Sequence, residues 1–168
     1  RVKSAEGGKT MLAVDRMLAL LVPLGEAVSG PAQFRMPVAE FSEEAARGME
    51  AAGRLLAGAG LEGGRSYVAI IPGARWNTKR WDIERYTEVA RNLVNGGEFV
   101  VLLGSPDEKR LCDQIEQSIG GAVDGARGLV NFAGVTSLRE MIAVLSRARL
   151  VIGNDSGPLH VAAALGRQ

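Results

Sequence analysis

From Ser66 onward, short apolar runs alternate with segments of helical period, and that alternation limits the chain to very few folds. Tyr67–Ile71, Phe99–Leu103 and Leu150–Ile152 are strand-length runs, and a weaker one lies near Leu129–Phe132. Strands so uniformly apolar are buried on both faces, which calls for a parallel sheet sandwiched between helices. The intervening segments supply those helices. Asp82–Val94 repeats apolar residues at Ile83, Tyr86, Val89, Ala90, Leu93 and Val94, then stops at Asn95-Gly96-Gly97. Ser105-Pro106-Asp107-Glu108 and Ser137-Leu138-Arg139-Glu140 both read as capped helix starts. The predicted class is α/β, a Rossmann-like parallel sheet with helices on both faces, four strands interleaved with four helices.

Ligands of such sheets bind beyond the carboxyl ends of the strands. The polar loops 72–81, 104–108, 133–137 and 153–160 all fall there. In the last of them, Gly153-Asn154-Asp155-Ser156-Gly157-Pro158-Leu159-His160 reads as a tight turn between a strand and a helix. Unpaired backbone N–H groups and the positive end of a helix dipole then meet at one strand end, which is an anion site. Pro158 suits the first helical position, where its missing N–H costs nothing. His160 follows in the first turn and faces the same anion.

The loop 72–81 packs Arg75, Lys79 and Arg80 with Thr78, Trp76 and Trp81. Lys79 is a compact charge suited to a diphosphate, and Arg75 or Arg80 could grip oxygens bidentately. A departing nucleotide diphosphate needs such a cation, because negative charge grows on the leaving oxygen. The competing reading makes these cations solvated loop residues, and Trp81 reads as an anchor under the next helix. Asp155 could order its turn, contact substrate hydroxyls or pair with Lys79. Glu108 has a sufficient local role as the capping partner of Ser105, yet a carboxylate at a strand end can also accept both hydroxyls of a ribose. Neither a Walker A loop nor a Gly-x-Gly-x-x-Gly after the first strand is present. No Ser–His–Asp arrangement, paired glycosidase carboxylates or general base stands out. His160 is the only histidine, so no multi-histidine metal site can form.

Composition narrows the classes further. With 168 residues and 46% hydrophobic content a sizeable core can form. A net charge of +1 argues against bulk binding to nucleic acid. The single cysteine, Cys112, excludes an internal disulfide and falls beside Leu111, Ile115 and Ile119 on a helical stripe, a core position. Met17–Leu24 is far short of the about 20 apolar residues of a membrane span, and no signal-peptide pattern opens the chain. These readings make a cytoplasmic location the expectation. Residues 1–64 differ in character, with helical patterns around Met11–Leu21 and Glu43–Leu56 and a possible edge strand at Phe34, Met36 and Val38. Both ends read as cut, as in a fragment.

Five motifs in register resemble the C-terminal half of the lipopolysaccharide heptosyltransferases, glycosyltransferase family 9. They are Ile71-Pro72-Gly73-Ala74, Thr78-Lys79-Arg80-Trp81, Val101–Glu108, Ala133–Leu138 and Asn154–His160. Ala13–Leu18 is similar to the segment joining the two halves of such enzymes, with Leu12 where a histidine often stands. The resemblance implies the GT-B architecture: residues 1–64 the end of an N-terminal domain and the linker, residues 65–168 a donor-binding domain cut at its C-terminal side. It implies inverting transfer of heptose from ADP-heptose to the lipid A–Kdo inner core, with no cofactor and no obligatory metal. Lys79 would neutralise the leaving diphosphate, with Thr78 beside it and the backbone of Ser156, Gly157, Pro158 and Leu159 around it. Asp155 and His160 would complete that phosphate end, Glu108 would hold the ribose, and Thr136 would border the adenine. The general base and the lipid-linked acceptor would belong to an N-terminal domain outside this chain, leaving the chain alone with little or no transferase activity. Peripheral association with the inner membrane would follow from the lipid acceptor. The alternatives are a GT-B transferase for another sugar or acceptor, and a non-catalytic nucleotide-binding module.

Overall fold

The computed structural model describes residues 43–120 and 128–167. The helical pattern at Met11–Leu21, the joining segment Ala13–Leu18 and the edge strand around Phe34–Val38 lie outside the described residues. Nine regular elements follow in order: α1 (Glu43–Gly58), β1 (Tyr67–Ile71), α2 (Ile83–Asn95), β2 (Phe99–Leu102), α3 (Lys109–Ile119), β3 (Leu129–Asn131), α4 (Leu138–Arg147), β4 (Leu150–Gly153) and α5 (Gly157–Ala164). The expected four strands and their interleaved helices are all present, with ends moved by a residue or so. Such shifts are normal where a strand's last residue turns out of the ladder.

The strands form one parallel sheet in the order β3-β2-β1-β4. Tyr67 pairs with Phe99, Val100 with Leu129, and Val68 with Leu150, which fixes the register of the three ladders. Alternation along each strand divides the core in two. Tyr67, Ala69, Ile71, Phe99 and Val101 face α1, α4 and α5 through Ala52, Leu56, Val144, Leu145 and Ala162. Val68, Ile70, Val100 and Leu102 face α2 and α3 through Tyr86, Ala90, Cys112 and Ile115. Each large aliphatic side chain so buried contributes about 1.5–3 kcal/mol.

Helix α1 belongs to this core. Ala52, Leu56, Ala59 and Leu61 lie in the same cluster as β1, so the core runs across the expected boundary between residues 64 and 65. The helix approaches α4 so closely that a Cβ on Gly48 would stand 3.1 Å from the Cβ of Arg139. Glu44 pairs with Arg139 at the solvent edge of the same contact. Among the described residues, no helix is long and apolar enough to cross a membrane.

The strand order also locates the working edge. Successive crossovers carry the chain from β1 outward to β2 and β3, and α4 then returns it to the opposite side of β1 as β4. The order therefore reverses between β1 and β4. A crevice opens at such a switch point beyond the strand ends.

Candidate functional site at the switch point

The loops leaving β1 and β4 meet over this crevice and enclose a cleft of about 360 Å³. Lys79 reaches it from a short 3-10 turn, Asn77–Lys79, held by bonds from the Lys79 N–H to the Trp76 carbonyl and from the Arg80 N–H to the Asn77 carbonyl. Its ammonium donates to Oδ2 of Asp155 at 2.5 Å. The other Asp155 oxygen, Oδ1, stands 3.1 Å from Nε2 of His160. One carboxylate thus ties the cation of the first loop to the first turn of α5. Hydrogen bonding from Lys79 holds the Asp155 carboxyl below the usual carboxylate range, and the Lys79 and His160 charges act in the same sense. The pair remains accessible, with the Lys79 and Asp155 side chains 48% and 62% exposed. That exposure leaves the Lys79 ammonium free to exchange the carboxylate for another anion.

Helix α5 opens on the floor of the cleft. Gly157 is its first residue, and Pro158 therefore takes the second position, one later than the sequence suggested. The missing N–H still falls among the donors without a helical acceptor. Ser156 occupies the N-cap with extended backbone, but its hydroxyl makes no cap bond. Its Oγ is buried and has no hydrogen-bond partner among the described residues. An orphaned buried hydroxyl at a helix N-terminus is a group held ready for a ligand oxygen.

Glu108 enters from the β2 side. Its Oε2 accepts from the N–H of Ser105 at 2.9 Å and from the Ser105 hydroxyl at 3.0 Å. Its Oε1 lies against Gly73 on the cleft wall. The capping reading and the ligand reading are therefore compatible, one oxygen serving each. Of the residues expected at the site, Lys79, Glu108, Asp155, Ser156, Gly157, Pro158 and His160 all line the cleft. Thr78, Thr136 and Leu159 do not. Thr78 is exposed on the 3-10 turn. The side chain of Leu159 is half-buried and packs against the core cluster, while its backbone, the part expected near the anion, belongs to the first turn of α5. Thr136 follows β3, two strands away from β1 along the same sheet edge.

The two further arginines differ in role. Nε of Arg80 donates to the Ala74 carbonyl at 2.8 Å and closes the loop on itself. Arg75 lines the cleft with its guanidinium 5.5 Å from the ring of Trp76. Trp81, read as an anchor, packs its ring edge-on to Tyr86 at 5.2 Å while remaining half exposed. Asn154 and Gly73 were not singled out by the sequence, and both shape the site. Asn154 is only 7% exposed and joins the two loops through its carboxamide. The places of Gly73 and Asn154 in the segments 71–74 and 154–160 are the signal the sequence offers. Among the described residues, no group of three or more His, Cys, Asp or Glu side chains could share a metal ion.

A four-stranded parallel sheet covered on both faces, with a polar cleft at its switch point, defines a Rossmann-like α/β domain. The family model described as glycosyltransferase family 9 (heptosyltransferase) matches residues 3–168, and the chain belongs to that family. Lipooligosaccharide heptosyltransferase 2 of Haemophilus ducreyi is 33% identical over 104 residues, 61% of this chain and 29% of that protein. The structure of Escherichia coli ADP-heptose lipopolysaccharide heptosyltransferase II superposes with a TM-score of 0.63 at 29% identity, covering 82% of this chain and 39% of that one. A glycosyltransferase of family 9 from Veillonella parvula shares the fold with a TM-score of 0.79 at 22% identity, over 98% of this chain and 44% of its own. The matched stretch thus spans less than a third of the length of the Haemophilus relative.

Proposed function

We propose that this chain supplies the donor-binding half of a heptosyltransferase that transfers heptose from ADP-heptose to the inner core of lipopolysaccharide. The observation that carries the reading is the convergence of the Lys79 ammonium, the orphaned Ser156 hydroxyl and the start of α5 on one cleft. Cation, hydroxyl and helix N-terminus together suit a diphosphate. The family and the Escherichia coli neighbour, described as an ADP-heptose enzyme, favour that nucleotide and sugar.

In the proposed reaction the bond between the anomeric carbon and the diphosphate oxygen breaks, and the electron pair leaves with the diphosphate. Lys79 turns from Asp155 to that oxygen and stabilises the charge as it grows. Asp155 then keeps His160 at the phosphate end, and Glu108 takes the ribose hydroxyls through Oε1. An acceptor hydroxyl attacks the opposite face of the anomeric carbon, giving inversion, and its proton passes to a base assigned to the acceptor-binding half. The donor is the only small molecule this scheme requires of the chain, and the lipid-linked acceptor would bring it to the surface of the inner membrane.

Calorimetric titration with ADP, UDP and GDP tests the reading, with the ADP titration repeated on Lys79→Ala. Selective binding of ADP that weakens about tenfold or more in the variant is the expected result, since a charge-assisted hydrogen bond is lost. Preference for UDP or GDP would move the assignment to another sugar. Absence of binding by any of the three would overturn the donor-site reading for this chain.

A further inference from the structure

We propose that Asn154 is a positioning residue: its carboxamide clamps both ends of the loop 72–81 and so sets where the Lys79 ammonium stands. Nδ2 donates to the carbonyls of Pro72 at 2.8 Å and Gly73 at 3.3 Å, where the loop leaves β1. Oδ1 accepts from the N–H of Trp81 at 3.0 Å, where the loop ends, and from the hydroxyl of Tyr86 on α2 at 2.9 Å. All four hydrogen-bonding positions of the amide are used. The orientation admits no exchange of N and O, because two partners are carbonyls that only accept and one is an N–H that only donates.

Three chain segments therefore hang on one buried side chain from the β4 loop: the end of β1, the start of the α2 region and the turn that carries Asp155. The loop between the clamped ends is held further by the Arg80 bond to Ala74. Lys79 lies inside that closed segment, and Asp155 is the next residue after Asn154. The clamp consequently fixes both partners of the ion pair, 76 residues apart in sequence, from a single point. No other amino acid of this size offers two donors and two acceptors in one plane. Aspartate would turn an oxygen toward two carbonyls, and leucine would leave the Trp81 N–H and two carbonyls without partners.

The consequence for nucleotide binding rests on the donor-site reading, whereas the placement of Lys79 does not, and the two are separable by experiment. The first readout needs no ligand. Carbon-detected NMR of the 168-residue chain follows the Asp155 carboxyl through its titration. Lys79 holds that titration low, so Asn154→Ala should move its midpoint upward, toward the value found in Lys79→Ala. In the double variant no further movement is expected. Asn154→Ser keeps a hydroxyl for one of the four partners and is read in the same way if Asn154→Ala does not fold. The second readout is ADP affinity. Asn154→Ala should weaken it roughly tenfold with Lys79 present and leave it unchanged in Lys79→Ala, a non-additivity that a general loss of structure would not produce. A folded Asn154 variant with the wild-type Asp155 midpoint would overturn the proposal. A wild-type chain that ignores ADP while the Asp155 midpoint shifts as expected would sink the donor-site reading and leave the clamp standing.

Discussion

Gly73 and Glu108 are packed with no spare atom between them: a Cβ added to the glycine would stand 2.1 Å from Oε1 of the glutamate. The contact joins the loop after β1 to the loop after β2 and sets the side wall of the cleft. It also explains why a glutamate already engaged by Ser105 still presents an oxygen to the cleft.

Replacing Gly73 by alanine tests that wall. Alanine can adopt the backbone there, so the strain falls on the Glu108 side chain, which has to abandon its cap. The expected stability loss is about 1 kcal/mol, the usual value of a helix cap. ADP affinity should fall as far as it does in Glu108→Ala, roughly tenfold for a lost charged acceptor. Chemical denaturation and calorimetry read the two effects separately. Wild-type affinity in Gly73→Ala would show that Glu108 has no part in binding.

The Lys79–Asp155 pair should leave its mark at acid pH. A carboxyl held low in the folded state adds stability above its unfolded value, about 4. That stability disappears as pH falls through the folded value. Lys79→Ala removes the principal cause of the depression. Wild type and variant should therefore converge in urea midpoint below the folded value and separate above it, wild type being the more stable. High salt should shrink the separation, because both side chains are exposed. A separation that grows toward acid pH would contradict the assigned pairing.

Much of this arrangement was legible because local rules and global burial agree. Val68–Ile71 and Val100–Leu102 are apolar at every position because helices cover both faces, so the parallel sheet could be read from the runs themselves. Lys79 and Asp155 were legible as members of loops at the strand ends. Leu159 and His160 show how helical rotation divides neighbours: the leucine side chain packs half-buried against the core and the histidine side chain stands on the cleft. Thr136 lies on the expected edge but on the outer strand side, a distance set by strand order and invisible in spacing. The clamp at Asn154 and the contact between Gly73 and Glu108 depend on partners far along the chain, which no local pattern records. The same holds for α1, whose apolar stripe declared a helix but not the sheet face that covers it.

Cys112 should behave as an inert core residue. Burial pushes its thiol up to about 12, with the neighbouring carboxylates acting in the same direction. The Sγ lies 3.7 Å from the Leu103 carbonyl, to which it donates. Little thiolate forms at mildly alkaline pH, so alkylation of the native protein should be slower than that of a free thiol by roughly three orders of magnitude. Labelling at increasing urea, read by mass spectrometry, should rise only with global unfolding. Rapid labelling of the folded chain would place the α3 stripe outside the core.

Tyr67 predicts the opposite pH limb. Its hydroxyl donates to the Val144 carbonyl at 2.6 Å, linking the first residue of β1 to the last turn of α4. Burial raises the phenol well above its ordinary value, against the smaller opposing effects of Arg147 and Arg167. A raised folded value means that the interaction contributes fully below the unfolded value of about 10. The contribution fades as pH climbs through the folded value. Tyr67→Phe should therefore lose about 1–3 kcal/mol at neutral pH, because the buried carbonyl is left without its donor. The gap between wild type and variant in denaturation midpoint should narrow on moving from pH 7 to strongly alkaline solution. A gap that stays constant across that range would mean that the hydroxyl stabilises the fold by filling space and not by donating its proton.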